Sequence, residues 1–281
     1  MSNEPELIET AGARALLFRD APSWEGRKCA SVGGIEFSSC QAGASLLNSI
    51  SENLRAEGFF GLLGPMDGDT WHNYRLVTFS DGSEPFQLEP VSRPHDIEAF
   101  GIAGFIPVSN YVSARARLTD TLGPAPVVCP GVSVFPWDGN EAEQLIMKLY
   151  EMSVSAFAKN RFFKPISLET FFEIYRPLFG MVDPAHILFA HSGEGQLVGF
   201  LFGMPDQKRA EKPPTAILKT YASAIHGVGH LLADTYHRRA IEMGFEEVIH
   251  ALMHENNISL KRSEKHKATI FRRYALLGKM L

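Results

Sequence analysis

The stretch TAILKTYASAIHGVGHLLADTYHRRAIEMGF, Thr215 to Phe245, restricts the fold of this chain more than any other. A strand-like apolar run passes through Gly227 and Gly229 directly into a helical period. Leu232, Tyr236, Ala240 and Met243 then share one face, and Gly244 is a natural helix stop. Glycine has no Cβ, so the backbone can approach a ligand closely. The first N–H groups of a helix lack internal partners and sit at the positive end of its dipole. A strand, a glycine turn and a helix in series therefore make an anion site suited to a pyrophosphate. Short glycine motifs are common, and a tight packing turn is the competing reading.

The elements around this stretch predict an α+β fold. The segment LTDTLGPAPVVCPG, Leu118 to Gly131, holds three prolines and two glycines with no helical or strand period. Proline lacks the N–H that both regular structures need, so this is a connector. It separates residues 1–120 from residues 132–281, with a linker at 121–131. In the longer part, a short strand at Gly131 to Phe135 precedes a helix with Leu145, Leu149, Met152 and Ala156 on one face. A second helix starts after Ser167, an N-cap residue, and carries Phe171 and Ile174. AHILFAH and QLVGFLFG, joined by a glycine-rich turn, predict a hairpin, and a polar loop leads on to Thr215. Beyond Gly244 come the strand VIHALM, a short polar helix over Asn257 to His266, and a last strand, ATIFRRYALLG. The order is β, α, α, β, β, β, α, β, α, β. The first part repeats only its later portion. ARALLF and CASVGGIEF read as strands, Gly43 to Glu57 as a helix and FFGLLGP as a strand. A mixed region from DGDTWHNYR to SNYVSARA completes it.

Composition narrows the function. Of 281 residues, 45% are hydrophobic and 21% charged, enough to bury a proper core. A net charge of −5 weighs against non-specific nucleic-acid binding, which needs an excess of cations. Cys29, Cys40 and Cys129 are odd in number and far apart, without a CxxC pair, so neither a disulfide framework nor a cysteine zinc site is expected. The acidic opening MSNEPELIET is no signal peptide, and no apolar run is long enough to span a bilayer. A cytoplasmic protein with no membrane partner is the expectation. His226/His230 and His250/His254 have i, i+4 spacing, but no third ligand accompanies either pair, and no metal is expected.

This order, with Ala224-Ile225-His226-Gly227-Val228-Gly229 after the fourth strand, resembles the GNAT acetyltransferases. The usual family turn is Arg or Gln, two residues, Gly, one residue, then Gly or Ala. Gly227 and Gly229 match it, and Ala224 stands where Arg or Gln is usual. The resemblance implies two GNAT-like halves built on mixed β-sheets flanked by helices. Residues 1–120 form an abbreviated, degenerate half, since SSCQAGASLL carries Gly43 alone. Residues 132–281 form the acyl-coenzyme A domain. It further implies coenzyme A binding by Thr220, Ala222, Ile225, His226, Gly227, Val228, Gly229, His230 and Asn256. Ser263 falls near the place of the family's proton-donating Tyr, with Tyr274 and Tyr221 as alternative donors and His226 as the candidate base. The basic run KRSEKHK, Lys261 to Lys267, is either a solvated helix face or an attractor of phosphate. Trp71, Tyr74 and Arg75 of the first half are either a wall of the acceptor site or simple packing. The implied activity is transfer of an acyl group, most simply acetyl, from acetyl-CoA or another acyl-CoA to an amine. The acceptor would be a small molecule or a peptide. Attack is expected to be direct, since no cysteine is near the turn in sequence. An acyl carrier protein or aminoacyl-tRNA as donor, and a non-catalytic acyl-CoA-binding protein, are the alternatives.

Overall fold

A computed structural model describes residues 4–209 and 213–281, with the backbone alone at 178–181 and 209. Residues 1–3 of the acidic opening and 210–212 of the polar loop lie outside the described residues. The first part runs β1 (Glu6–Thr10), β2 (Ala13–Phe18), β3 (Cys29–Phe37), α1 (Cys40–Ala56), β4 (Gly61–Gly64), β5 (Leu76–Ser80), α2 (Pro94–Ile102) and β6 (Ile106–Arg117). The short helix α3 (Leu118–Thr121) leads into the connector. Then follow β7 (Val132–Pro136), α4 (Ala142–Phe157), α5 (Leu168–Met181), β8 (Ile187–Ser192), β9 (Leu197–Pro205), β10 (Thr215–Ser223), α6 (Val228–Glu242), β11 (Glu247–His254), α7 (Ile258–Lys265) and β12 (Thr269–Met280). From β7 onward this is the order read from the sequence. Ser167 caps α5 as expected, its Oγ accepting the Thr170 N–H at 3.1 Å.

The strands form one continuous mixed sheet in the order β1-β2-β3-β4-β12-β6-β11-β10-β9-β8-β7, with β5 beside β12. Each part lends its last strand to the other. β6 lies between β11 and β12, so that Ala114 faces His250 on one side and Ile270 on the other. β12 lies between β4 and β6, so that Leu277 faces Gly64 and Pro107. Each part also holds one parallel pair, β3 with β4 and β10 with β11.

Apolar residues alternate between the two faces of the second part, as strands require. Ala216, Leu218 and Leu201 pack with Leu232 and Tyr236 of α6. Ile217, Phe200 and Ile249 pack with Ile146 of α4 and Phe171 of α5 on the opposite face. In the first part Leu46, Leu47, Ile50 and Leu54 of α1 cover the sheet together with Phe100 of α2. The mixed region of the sequence resolves into β5, α2 and β6. α2 begins on Pro94, and the Asp96 carboxylate accepts the Arg93 N–H at 2.7 Å. Among the described residues, no helix is long and apolar enough to cross a membrane.

Candidate active site

β10 and β11 pair in parallel from Thr215↔Glu247 to Leu218↔His250 and then part. Both strands are irregular where they separate. The pairing of β10 with β9 jumps between Leu218 and Thr220. That of β11 with β6 jumps between His250 and Met253, and Leu252 has a left-handed φ of 54°. Such bulges bend a strand and re-aim its side chains. A cavity of about 1140 Å³ fills the gap and reaches both faces of the sheet. His230, His237 and Ser263 line it on the side of α6 and α7, and Trp71, Phe157, Arg161 and Tyr175 on the side of α4 and α5.

The glycine turn opens beside this gap. Gly227 has φ 90° and its carbonyl accepts the N–H groups of His230 and Leu231 at 2.9 and 3.1 Å. The N–H groups of His226, Gly227 and Gly229 find no protein acceptor among the described residues. A Cβ on Gly229 would lie 3.0 Å from Cε2 of Tyr221, so a side chain there would push that ring. A second hollow of about 220 Å³ adjoins the turn, lined by Tyr221, Ser223, Ile258 and Arg262. Arg262 belongs to the basic run and brings to the turn, from α7, the cation that Ala224 does not supply. Unpartnered donors at a helix start, a glycine cradle and one arginine fit the pyrophosphate of coenzyme A. Cys129 also arrives here from the connector: a Cβ on Gly227 would lie 4.0 Å from its Sγ. Cys129 is thus distant from the turn in sequence and close to it in space.

The residues singled out in sequence fall into three groups. Ile225, His226, Gly227 and Gly229 line the hollow at the turn, where His226 is exposed. Thr220, Ala222, His230, Asn256 and Ser263 line the large cavity, and Tyr221 lines both spaces. Val228 and Tyr274 line neither. The Tyr274 hydroxyl is buried, donates to Glu89 and lies 3.1 Å from Ser113 Oγ. Burial, with the Glu89 charge beside it, pushes this phenol above its ordinary range. Glu89 in turn pairs with Arg272 at 3.1 Å.

Ser263 is held from behind by two histidines. Its Oγ is 2.8 Å from His250 Nδ1, and His250 Nε2 is 3.1 Å from His237 Nε2. Burial pulls His250 down to about 3 and His237 well below its ordinary value, so both rings are neutral and each carries one N–H. His237 Nδ1 has no partner among the described residues. A buried lone pair without a partner is better tolerated than a buried N–H without one. The protons therefore sit on His237 Nε2 and His250 Nδ1, each donating forward, and the Ser263 O–H is left to donate into the cavity. Among the described residues, no three His, Cys, Asp or Glu side chains group as a metal would require.

Lys219 was not singled out in sequence. It sits in the β10 bulge, lines the cavity and donates from Nζ to the Leu88 carbonyl at 3.1 Å. Burial first and the Arg75 charge second, against Glu89, bring its amine down to about 7. A lysine at ordinary pH would thus be partly neutral, and a neutral amine can accept a proton. The available signal was a single cation inside the apolar run TAILKTYA.

A mixed sheet that parts beside a glycine turn, flanked by this order of helices, is the GNAT fold, here in tandem halves that exchange their last strands. The chain is similar to a GCN5-related N-acetyltransferase from Sphaerobacter thermophilus, with a TM-score of 0.57 and 16% identity over 99% of this chain and 81% of that one. It is also similar to a tandem GNAT protein from the clavulanic acid biosynthesis pathway, with a TM-score of 0.55 and 14% identity over 96% of this chain and 79% of that one. No family model matches the chain, and no curated protein matches it in sequence. At such identities the likeness is one of fold.

Proposed function

We propose that the chain transfers an acyl group from acyl-coenzyme A to an amine, with both substrates bound at once. One observation carries this reading: a cavity that passes between parting strands and opens, on the α6 side, beside a turn with three N–H groups unpartnered among the described residues. The donor supplies a thioester, an acyl group already activated for attack. Gly227, Gly229 and Arg262 hold its pyrophosphate. Ser263 donates a hydrogen bond to the charge that develops on the departing sulfur, oriented by His250 and His237. Lys219 Nζ, in its neutral form, takes the proton that the attacking amine loses. The first half closes the far side of the cavity with Trp71, Tyr74 and Arg75. His226, exposed at the turn, has a place beside the phosphates rather than beside the acyl group.

Coenzyme A titration by calorimetry and thiol release from acetyl-CoA with a panel of amines test this together. Binding with amine-dependent release is expected, and Ser263→Ala should lower kcat by about a hundredfold with little change in coenzyme A affinity. Binding without amine-dependent release would favour a non-catalytic acyl-CoA-binding protein. Because Cys129 lies beside the turn, mass spectrometry of the enzyme mixed with acetyl-CoA alone checks the route. An acetyl group on Cys129 that disappears when amine is added would replace direct attack by a two-step route.

A further inference from the structure

Arg75 is the feature of the cavity that acyl transfer as such does not require. It is only 8% exposed, yet it lines the cavity. Its backbone has a left-handed φ of 79°, uncommon for a residue with a side chain, and its N–H donates to Pro65 at 2.9 Å. The guanidinium sits in the corner made by two perpendicular phenol rings, 3.8 Å from the centre of Tyr74 and 4.1 Å from that of Tyr111. Nη1 donates to the carbonyl of Leu252, in the β11 bulge, at 3.3 Å. Nε is buried and has no partner among the described residues. A guanidinium has five N–H donors and stays charged.

No carboxylate pairs with Arg75 among the described residues. Glu89 is taken by Arg272 and Tyr274, and Glu255, which also lines the cavity, accepts from Asn110 at 3.1 Å. Arg161 and Lys219 line the same space, and neither has an ion pair among the described residues; they donate to the carbonyls of Val108 and Leu88. Arg75 and Arg161 thus meet in one cavity, with Lys159, Lys219 and Arg262 also on its lining, in a chain whose net charge is −5. Burying an unpaired charge is expensive unless something of opposite sign arrives. Rings surround the neighbouring space: Trp71 meets Phe157 and Phe163 edge-on at 6.0 and 5.9 Å.

We infer that Arg75, held against Tyr74 and Tyr111 in the cavity wall with its buried Nε unpartnered among the described residues, is the carboxylate anchor of the acceptor, so that the acceptor is an amino acid or another amine bearing a carboxylate and an apolar body. A guanidinium offers the planar fork that a carboxylate matches with two parallel hydrogen bonds, which an ammonium lacks. The apolar body lies against Trp71 and its ring neighbours. The term acceptor rests on the acyltransferase reading; the carboxylate site itself does not.

The test uses the full chain and two probes of one shape, hydrocinnamate and its neutral amide, each titrated by calorimetry. Wild type should bind the carboxylate roughly tenfold or more tightly than the amide. Arg75→Met should abolish that preference, and Arg75→Lys, which keeps the charge but loses the fork, should retain only part of it. Coenzyme A should bind wild type and Arg75→Met equally, which also reports that the variant is folded. Equal binding of acid and amide by wild type, no binding of either, or a preference that survives in Arg75→Met would each overturn the anchor. If Arg75→Met does not fold, an undiminished preference in Arg75→Lys overturns it instead. Should coenzyme A fail to bind wild type while the carboxylate preference holds, the donor-site reading falls and the anion site stands.

Discussion

The chain twice runs a strand alongside a parallel neighbour and then into a helix, and the two junctions end differently. After β10 the strands part, the turn leaves donors unpartnered and a cavity opens. After β3 they stay joined beyond their parallel pairing. The Met66 N–H donates to the Val32 carbonyl at 2.8 Å, and the Gly34 N–H donates to the Asp67 carboxylate at 2.8 Å. At the start of α1, Ser39 Oγ accepts the Ala42 N–H at 3.2 Å, and a Cβ on Gly43 would lie 2.5 Å from the Phe37 ring. His95 of α2 closes the junction further, with Nε2 2.7 Å from the Phe37 carbonyl. A strand–turn–helix layout therefore makes no site by itself. What makes one is the combination of parting strands and donors that nothing among the described residues satisfies.

The largest expected effect lies on the open side. Lys219→Met should lower turnover by about a hundredfold. In wild type the rate should climb as pH rises through about 7, where the amine loses its proton, and this limb should vanish in the variant. A rate profile unchanged by the substitution would remove Lys219 from the chemistry. Stability carries the same signature. The folded value of about 7 is below the ordinary 10.5, so between these values the unfolded chain holds a proton that the native chain does not. Wild-type stability relative to Lys219→Met should therefore rise as pH increases across that window, a shift that thermal melts at several pH values would register.

Gly229→Val comes next. It places a branched side chain against Tyr221 and should reduce coenzyme A affinity at least about tenfold by calorimetry, the ratio that 1.4 kcal/mol represents. Unaltered affinity would move the pyrophosphate site away from this turn. Arg262→Ala should weaken coenzyme A binding by a few-fold, and less so as salt is added, because a charge near the surface is screened. The smallest effect belongs to the closed junction. Ser39→Ala removes a helix cap and should lower unfolding stability by about 1 kcal/mol while leaving coenzyme A affinity as it was. If Ser39→Ala instead altered binding, the two junctions would not differ in the way described.

The second part of the chain was legible because its punctuation is local. Gly227, Gly244, the glycine-rich turn before Gln196 and the cap at Ser167 each mark a boundary within a few residues. β6 was not legible. IPVSNYVSARAR looks polar, yet its centre is buried on both faces. Its serines are satisfied from other strands, as when Ser113 Oγ accepts the Leu252 N–H at 2.9 Å. Within the site, the turn could be placed by its glycines between a strand and a helix, and Ser263 only through the family resemblance. The two bulges could not, and they are what aim Lys219 at the cavity and set His250 at the fork of the strands. The hydrogen bond between His250 and Ser263 joins a strand to a helix, and no periodicity announces it.

The exchange of β6 and β12 has a consequence for assembly. β4 and β6 are synthesised well before β12, and both wait for it as a neighbour. Until it arrives, each keeps a row of backbone donors and acceptors exposed on that side, the kind of edge that pairs with other chains. The site between β10 and β11 depends on the same event, because β11 rests on β6 and β6 rests on β12. A nascent chain stopped before Thr269 would hold every residue that lines the cavity and still lack the strand that keeps its far wall in register. Such a sheet has no working half-way form, and the pairing of distant segments that closes it should make folding slow.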